Sequence, residues 1–265
     1  MGALAYADDI ILLSPSVTSA RKMLGIVKQF AAEYDVKFNP CKSQHLVFGQ
    51  GCPVKTCLSL DGQPIELSSH CTHLGIVVGD DADNRVLTQA VGDFNKRVNC
   101  VIAQFGSAHC ITKYRLFKAF CMSLYACPLW NLLSKKANDF CTAWRKAVRK
   151  LLSLHPWTHN VLLPLICDDI SPEGQLHARF ASFFKKVLTS PNECVFTCGQ
   201  LVIQGSRSNV CNNLNLICSK YSVNRCSLNS VGQVLPLVRK IEFTKYEFDD
   251  LVKAGYTRNL LCLRD

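Results

Sequence analysis

The sequence lacks the apolar segments that membrane-spanning and exported proteins carry. No window of about twenty residues is free of charged and strongly polar side chains, so no membrane-spanning helix is expected. Lysine and arginine are absent from the first nine positions, where a signal peptide would place them ahead of its apolar stretch. We therefore expect an intracellular protein, nuclear or cytoplasmic, with no membrane partner.

Cys-x2-Cys pairs, the commonest zinc-ligand spacing, are also absent from the sequence. Five of the 16 cysteines lie in the last third of the chain as candidates: Cys194, Cys198, Cys211, Cys218 and Cys226. None of them forms a Cys-x2-Cys pair with a correctly spaced histidine, so we expect no zinc site. Because nothing indicates export and most cysteines have apolar neighbours, we expect reduced, buried thiols rather than disulfides.

Positive charge is concentrated in the middle of the chain. The net charge is +10, and residues 84–190 alone hold 15 basic and 5 acidic residues, whereas residues 1–83 carry −3 and residues 191–265 carry +3. A local excess of this kind is expected of a surface that binds nucleic-acid phosphates. A basic face that is only solvated would explain the charge equally well.

The hydrophobic pattern changes along the chain from mixed to helical, which predicts the α+β class. Short apolar runs in residues 1–83 predict a helix over 17–34 and strands or hairpins at 3–13, 36–38, 45–48, 58–65 and 73–78. Helical periodicity in residues 84–190 predicts helices over 86–105, 112–124, 137–154 and 174–188. The Asn/Ser/Cys-rich remainder shows weaker helical periodicity, at 210–221, 231–241 and 246–254.

The sharpest motif is the acidic pair in Tyr6-Ala7-Asp8-Asp9. Apolar runs on both sides predict a buried hairpin with the two carboxylates at its tip. Adjacent carboxylates repel each other, and hairpin turns favour Asn-Gly or Asp-Gly, so the pair suggests a bound cation. Nucleotidyl transfer requires such ligands, because hard oxygen atoms must hold two Mg²⁺ ions about 4 Å apart. The alternative is a solvated acidic turn.

Three motifs in order resemble those of reverse transcriptases, most closely the enzymes of non-LTR (LINE-type) retrotransposons. The segment from Leu4 to Ser14 resembles the palm hairpin, which implies that Asp8 is a metal ligand and that Asp9 supports the site. The segment Phe38-Asn39-Pro40-Cys41-Lys42-Ser43 is similar to the next motif, which implies that Lys42 lies near the triphosphate. The segment His73-Leu74-Gly75-Ile76 resembles the primer-grip turn, where a glycine lets the backbone approach the primer end.

The resemblance implies a partial palm over residues 1–83, an all-α thumb over 84–190 and a C-terminal extension of unknown role over 191–265. The implied activity is Mg²⁺-dependent, RNA-directed DNA polymerisation, with an RNA template, a DNA primer and dNTPs. In the family, the fingers and an earlier catalytic aspartate lie upstream of this hairpin, and here only Met1 precedes Gly2. We therefore expect a C-terminal fragment that does not polymerise by itself.

One predicted helix of the thumb-like region has a basic face. Its apolar stripe consists of Trp144, Val148, Leu151 and Leu152, and its basic face of Arg145, Lys146, Arg149 and Lys150. The first face is expected to pack and the second to contact phosphates. Two alternatives to an enzyme remain open: a nucleic-acid-binding remnant without chemistry, and an unrelated basic helical protein with an accidental acidic hairpin.

Overall fold

The computed structural model describes residues 2–49, 57–79 and 82–223. Both strand and helix are present, which confirms the mixed character expected of the α+β class, and every described strand lies before residue 80. The chain divides into two compact units, the first unit spanning residues 1–82 and the second unit beginning at Asp83.

The first unit consists of two-stranded sheets and one long helix. Three strand pairs are antiparallel (β1–β2, β4–β5 and β7–β8), and one pair, β3–β6, is parallel. The elements are β1 (Gly2–Tyr6), β2 (Asp9–Leu13), α1 (Val17–Glu33), β3 (Gln44–His45), β4 (Ser59–Leu60), β5 (Gln63–Pro64), β6 (Glu66–Leu67), β7 (His70–His73) and β8 (Ile76–Gly79).

A small apolar core holds α1 against the β4–β5 hairpin. Leu58, Leu60 and Ile65 are buried there, with Val17 and Leu24 of α1 packed against them. The predicted hairpin at 58–65 is confirmed. Its turn residues Asp61 and Gly62 have φ values of +51° and +76°, the left-handed conformation that the favoured two-residue turn requires.

Three predicted strands are wrong in whole or in part. Residues 36–38 form no strand, and of residues 45–48 only His45 belongs to one. A 3₁₀ turn over Pro40–Lys42 forms between these segments in place of a continuous strand, because the Asn39 side chain caps it by accepting the Cys41 N–H at 3.0 Å. The strand predicted over 73–78 is broken by a turn at Leu74 and Gly75, where φ is +48° and +76°.

The second unit is helical in its described part. The helices predicted over 86–105, 137–154, 174–188 and 210–221 are confirmed with small shifts at their ends, whereas the one predicted over 112–124 ends earlier, in a π-helical turn (Phe117–Cys121). Two further helices, α5 (Leu162–Ile166) and α7 (Glu193–Gln204), were not predicted. The segments 231–241 and 246–254 lie outside the described residues. The helices are α2 (Ala82–Phe105), α3 (Cys110–Leu116), α4 (Lys135–Leu151), α5 (Leu162–Ile166), α6 (Pro172–Leu188), α7 (Glu193–Gln204) and α8 (Asn209–Tyr221).

Aromatic side chains form the larger core of the second unit. The rings of Phe94 and Phe140 lie 5.2 Å apart, and those of Phe117 and Trp144 lie 6.4 Å apart, both edge to face. All four side chains are essentially inaccessible to solvent. Edge-to-face ring contacts favour one relative orientation of the rings, in addition to the stabilisation from hydrophobic burial. They therefore fix α2, the π-helical turn and α4 relative to one another.

Two buried polar residues tie α8 and α6 to their surroundings. Asn213 donates to the Trp130 carbonyl at 2.7 Å and accepts the Leu132 N–H at 3.0 Å, so both polar ends of its amide are satisfied. The His177 Nδ1 lies 2.8 Å from the Tyr221 hydroxyl. Burial, with a smaller effect of nearby Lys220, lowers the pKa of His177 to about 4, so the ring is neutral at pH 7.

Candidate active-site hairpin and nucleic-acid interface

The acidic pair lies at the tip of the β1–β2 hairpin. Tyr6 pairs with Asp9 across the ladder, which leaves Ala7 and Asp8 as the two turn residues. Ala7 has a φ of +52°. A left-handed alanine costs roughly 1 kcal/mol, and such strain concentrates at functional turns. This turn therefore contains no glycine, unlike the β4–β5 turn, in which Gly62 takes a left-handed conformation.

The prediction that this hairpin is buried is wrong. Leu4 is 58% exposed and Tyr6 66% exposed, while Ile11 and Leu12 are half-buried. The reason is topological, because the hairpin is a two-stranded sheet on its own and, within residues 2–79, its β2 strand contacts α1. A pair of strands that no third strand extends keeps both outer edges open.

Asp8 and Asp9 are both exposed, and their carboxylates make no hydrogen bond or ion pair with any described residue. The described ranges contain no group of three or more His, Cys, Asp or Glu side chains placed to hold a metal ion. Mg²⁺ keeps several water ligands and binds proteins through one or two carboxylates. Asp8 and Asp9 offer carboxylate oxygens of this kind to solvent.

The Lys42 segment lies beside the β7–β8 hairpin that carries Leu74 and Gly75. Lys42 is exposed at the end of the 3₁₀ turn. Just beyond it, the His45 carbonyl accepts the Ser68 N–H at 3.0 Å. A Cβ on Gly79 would lie 2.9 Å from Leu46 Cδ2, so the backbone of β8 passes close to this segment. The chain just after the second motif thus lies against the open end of the β7–β8 hairpin, whereas Leu74 and Gly75 form the turn at its other end. No described hydrogen bond joins either motif to the carboxylates at the β1–β2 tip.

The apolar stripe predicted for α4 is confirmed. Trp144, Val148 and Leu151 are buried and Leu152 is half-buried. Because these side chains recur every three or four residues, they face the core from one side of the helix. Of the basic residues between them, Lys146 and Lys150 are exposed, whereas Arg145 and Arg149 are half-buried.

The two arginines of the basic face are engaged within the protein. Arg145 forms an ion pair with Glu173 of α6. Arg149 donates to the Thr158 carbonyl from Nε at 3.1 Å and from Nη2 at 2.7 Å, and Nη2 also donates to Asn160 Oδ1 at 2.6 Å. Burial, with a smaller contribution from Arg145, lowers the pKa of Arg149, yet a guanidinium stays charged at pH 7.

The two lysines of that face remain accessible. Lys146 is exposed and makes no hydrogen bond or ion pair in the part of the chain that the structure describes. The Lys150 ammonium is also exposed and lies 3.2 Å from the Asn99 amide oxygen. A neutral amide is easily exchanged for a phosphate, so both lysines are available to an anionic ligand.

Sequence reasoning did not single out Trp157, which is 87% exposed. It lies in the loop between α4 and α5, where no helical or strand periodicity calls attention to it. The available signal was the preceding Pro156, since proline favours the second position of a tight turn and thereby places the next residue at its tip.

The cysteines follow expectation only in part. None of the 13 cysteines within the described ranges forms a disulfide, and Cys121, Cys127 and Cys141 are buried. Burial raises the pKa of Cys121 to about 11, which keeps this thiol protonated. The expectation of burial is wrong for five exposed cysteines, Cys41, Cys57, Cys100, Cys194 and Cys198, the last two of which lie on α7. Cys211 is buried and Cys218 half-buried on α8, while Cys226 lies outside the described residues.

Comparisons with family models, with curated proteins and with solved structures found no match for this chain. The likeness to reverse transcriptases therefore rests on the three ordered motifs and their surroundings. None of the helices in the described ranges combines the length and the apolar character needed to cross a bilayer.

Proposed function

We propose that this chain contains the palm hairpin and the thumb of a retrotransposon reverse transcriptase, and that its ligands are an RNA template and a DNA primer. The observation that carries the proposal is the pair Asp8–Asp9, exposed at the strained tip of a hairpin and followed in order by the Lys42 and Leu74–Gly75 motifs.

Each motif then has a physical task in nucleotidyl transfer. Mg²⁺ bound at the tip would lower the pKa of the attacking 3′-hydroxyl and neutralise the departing pyrophosphate. Asp8 supplies a ligand from the turn, and Asp9 supplies the adjacent charge at the start of β2. Lys42 offers an exposed cation to the triphosphate, and the turn at Leu74 and Gly75 presents backbone with little steric cover to the primer end.

Divalent-metal binding in the presence of a nucleotide tests the role of the carboxylates. Paramagnetic Mn²⁺ reports binding through water-proton relaxation, and Asp8→Asn and Asp9→Asn should each abolish the nucleotide-dependent signal. The matched control is Asp61→Asn, because Asp61 is an exposed acid on the β4–β5 turn of the same unit and Asn-Gly suits that turn as well as Asp-Gly. Equal responses of Asp8→Asn and Asp61→Asn would show that the pair is only a solvated acidic turn.

The charge of residues 84–190 favours a second candidate, a nucleic-acid-binding protein without chemistry. This region carries a net charge of +10, and Lys146 and Lys150 are accessible on α4. Binding of an RNA–DNA hybrid that is unaffected by Asp8→Asn, together with no nucleotide-dependent metal signal, would select this candidate. Absence of both hybrid binding and the metal signal would leave an unrelated basic helical protein.

A further inference from the structure

Trp157 stands apart from the other two tryptophans of the chain. Trp130 and Trp144 are 2% and 0% exposed, whereas the Trp157 indole is almost wholly in solvent. A single exposed apolar side chain is common on protein surfaces and by itself indicates nothing. What distinguishes Trp157 is how firmly the loop that carries it is held.

The loop presents Trp157 at the tip of a closed turn. The Thr158 N–H donates to the His155 carbonyl at 2.9 Å, which makes Pro156 and Trp157 the two central residues of the turn. Pro156 fixes its own φ, as the second position of such a turn prefers. The Trp157 N–H in addition lies 3.2 Å from the His155 Nδ1. Two hydrogen bonds and a proline ring therefore restrict the backbone at this residue.

Arg149 anchors the same turn to α4. Its guanidinium reaches the Thr158 carbonyl and the Asn160 side chain, the first directly after Trp157 and the second two residues further on. The Leu154 N–H closes the other side of the loop by donating to the Arg149 carbonyl at 2.8 Å. A planar guanidinium that satisfies two acceptors holds them more rigidly than an ammonium could. The loop is thus ordered before any ligand arrives, and binding need not supply that ordering.

The surroundings of the turn are cationic. Lys146, Arg149 and Lys150 lie on the last turns of α4, from which the loop emerges, and the whole region 84–190 has a net charge of +10. The Arg149 guanidinium contacts the turn itself, and Lys146 and Lys150 are exposed on the helix that carries it. Proteins bind single-stranded nucleic acid by combining exposed aromatic rings, on which bases stack, with cations that bind the phosphates. The excess positive charge matches the phosphate charge that every nucleotide of a single strand carries.

We propose that Trp157 is a stacking platform for an unpaired nucleobase, and that Arg149 is a positioning residue that holds the platform in place. This inference rests on the nucleic-acid role proposed above and adds to it a preference for unpaired nucleotides. The hybrid is held through its phosphates, whereas an unpaired nucleotide of the adjoining single strand gains a stacking contact. Because every base has an aromatic face, the preference is for single-strandedness and not for sequence.

The test compares a blunt RNA–DNA hybrid with a single-stranded oligonucleotide, both titrated into the full chain. Trp157→Leu should weaken single-strand binding by about five- to a hundredfold, the range for one lost base–aromatic stack, and should leave hybrid binding unchanged. The salt dependence of both should stay the same, because no charge is removed. Trp157→Phe should recover part of the loss. The matched control is Phe120→Leu, an exposed aromatic elsewhere in the second unit, which should behave as the unaltered protein.

Two readouts separate stacking from a structural effect. Trp157 is the exposed one of three indoles, so quenching of the red-shifted tryptophan fluorescence by the oligonucleotide reports contact with this ring. Arg149→Lys keeps the positive charge but loses the planar pair of hydrogen bonds. Arg149→Lys should weaken single-strand binding without changing the slope of log affinity against log salt. The double variant Arg149→Lys/Trp157→Leu should bind a single strand little more weakly than Arg149→Lys alone.

The outcomes are distinguishable. Single-strand affinity and fluorescence that do not change with Trp157→Leu, while hybrid binding persists, would overturn the platform and leave the proposed function standing. Binding of neither nucleic acid by the unaltered chain would overturn both. Capture of a protein through Trp157, with no fluorescence response to the oligonucleotide, would also overturn the stacking role.

Discussion

Removing the two accessible lysines of α4 should reduce the salt dependence of hybrid binding by a specific amount. Each phosphate contact contributes roughly 0.7–0.9 to the slope of log affinity against log salt. Four such contacts, the number suggested by the basic residues in sequence, would change the slope by about 3–4. Since Arg145 pairs with Glu173 and Arg149 holds the Trp157 loop, two contacts remain. The variant Lys146→Gln/Lys150→Gln should therefore change the slope by about 1.4–1.8.

Fluorescence anisotropy of a labelled RNA–DNA hybrid across a salt series measures this slope. The matched control is Lys185→Gln/Lys186→Gln, which removes the same charge from two exposed lysines in the last turn of α6. Circular dichroism should show both variants folded, because none of these side chains is buried. The reasoning would be refuted by an unchanged slope, or by equal changes in the two variants, which would mean that only the net charge of the protein matters.

Three further predictions concern the polar core and the hairpin. Because burial lowers the pKa of His177 from 6.5 to about 4, the unfolding free energy should be highest above pH 6.5 and fall by about 3 kcal/mol as pH decreases toward 4. Urea unfolding at several pH values measures this decrease. A His177→Gln variant with the same pH dependence of the unfolding free energy would contradict the prediction. Asn213→Leu should lower the unfolding free energy by roughly 1–3 kcal/mol for the buried Trp130 carbonyl that it leaves unpaired, and by less for the half-buried Leu132 N–H. Asn212→Leu, on the exposed side of α8, should change the unfolding free energy very little. With template, primer, dNTPs and Mg²⁺, the chain alone should give no primer extension, because two carboxylates cannot hold two metal ions in line. Template-dependent nucleotide incorporation that is lost with Asp8→Asn would contradict this prediction.

Features governed by near neighbours in the chain were predictable. The apolar stripe of α4 follows from the 3.6-residue period alone, so burial of Trp144 and Val148 could be read directly from the sequence. The β4–β5 turn follows from Asp61 and Gly62, which supply the left-handed conformations that a two-residue turn needs. Placement of Asp8 at a hairpin tip rests on the same kind of local rule.

Features set by distant partners were decided by the tertiary structure. Arg145 and Lys146 are equivalent in the sequence pattern, yet Glu173, 28 residues after Arg145, pairs with Arg145, whereas Lys146 is exposed and has no partner among the described residues. The β1–β2 hairpin, which carries Leu4, is exposed because no other described strand extends its sheet. A pattern of apolar residues in the sequence cannot show whether another element covers the hairpin. Trp157 likewise becomes a rigid platform only through the reach of a guanidinium from the preceding helix. Sequence periodicity determines which face of an element is apolar, whereas the identity of each partner across space depends on how the whole chain packs.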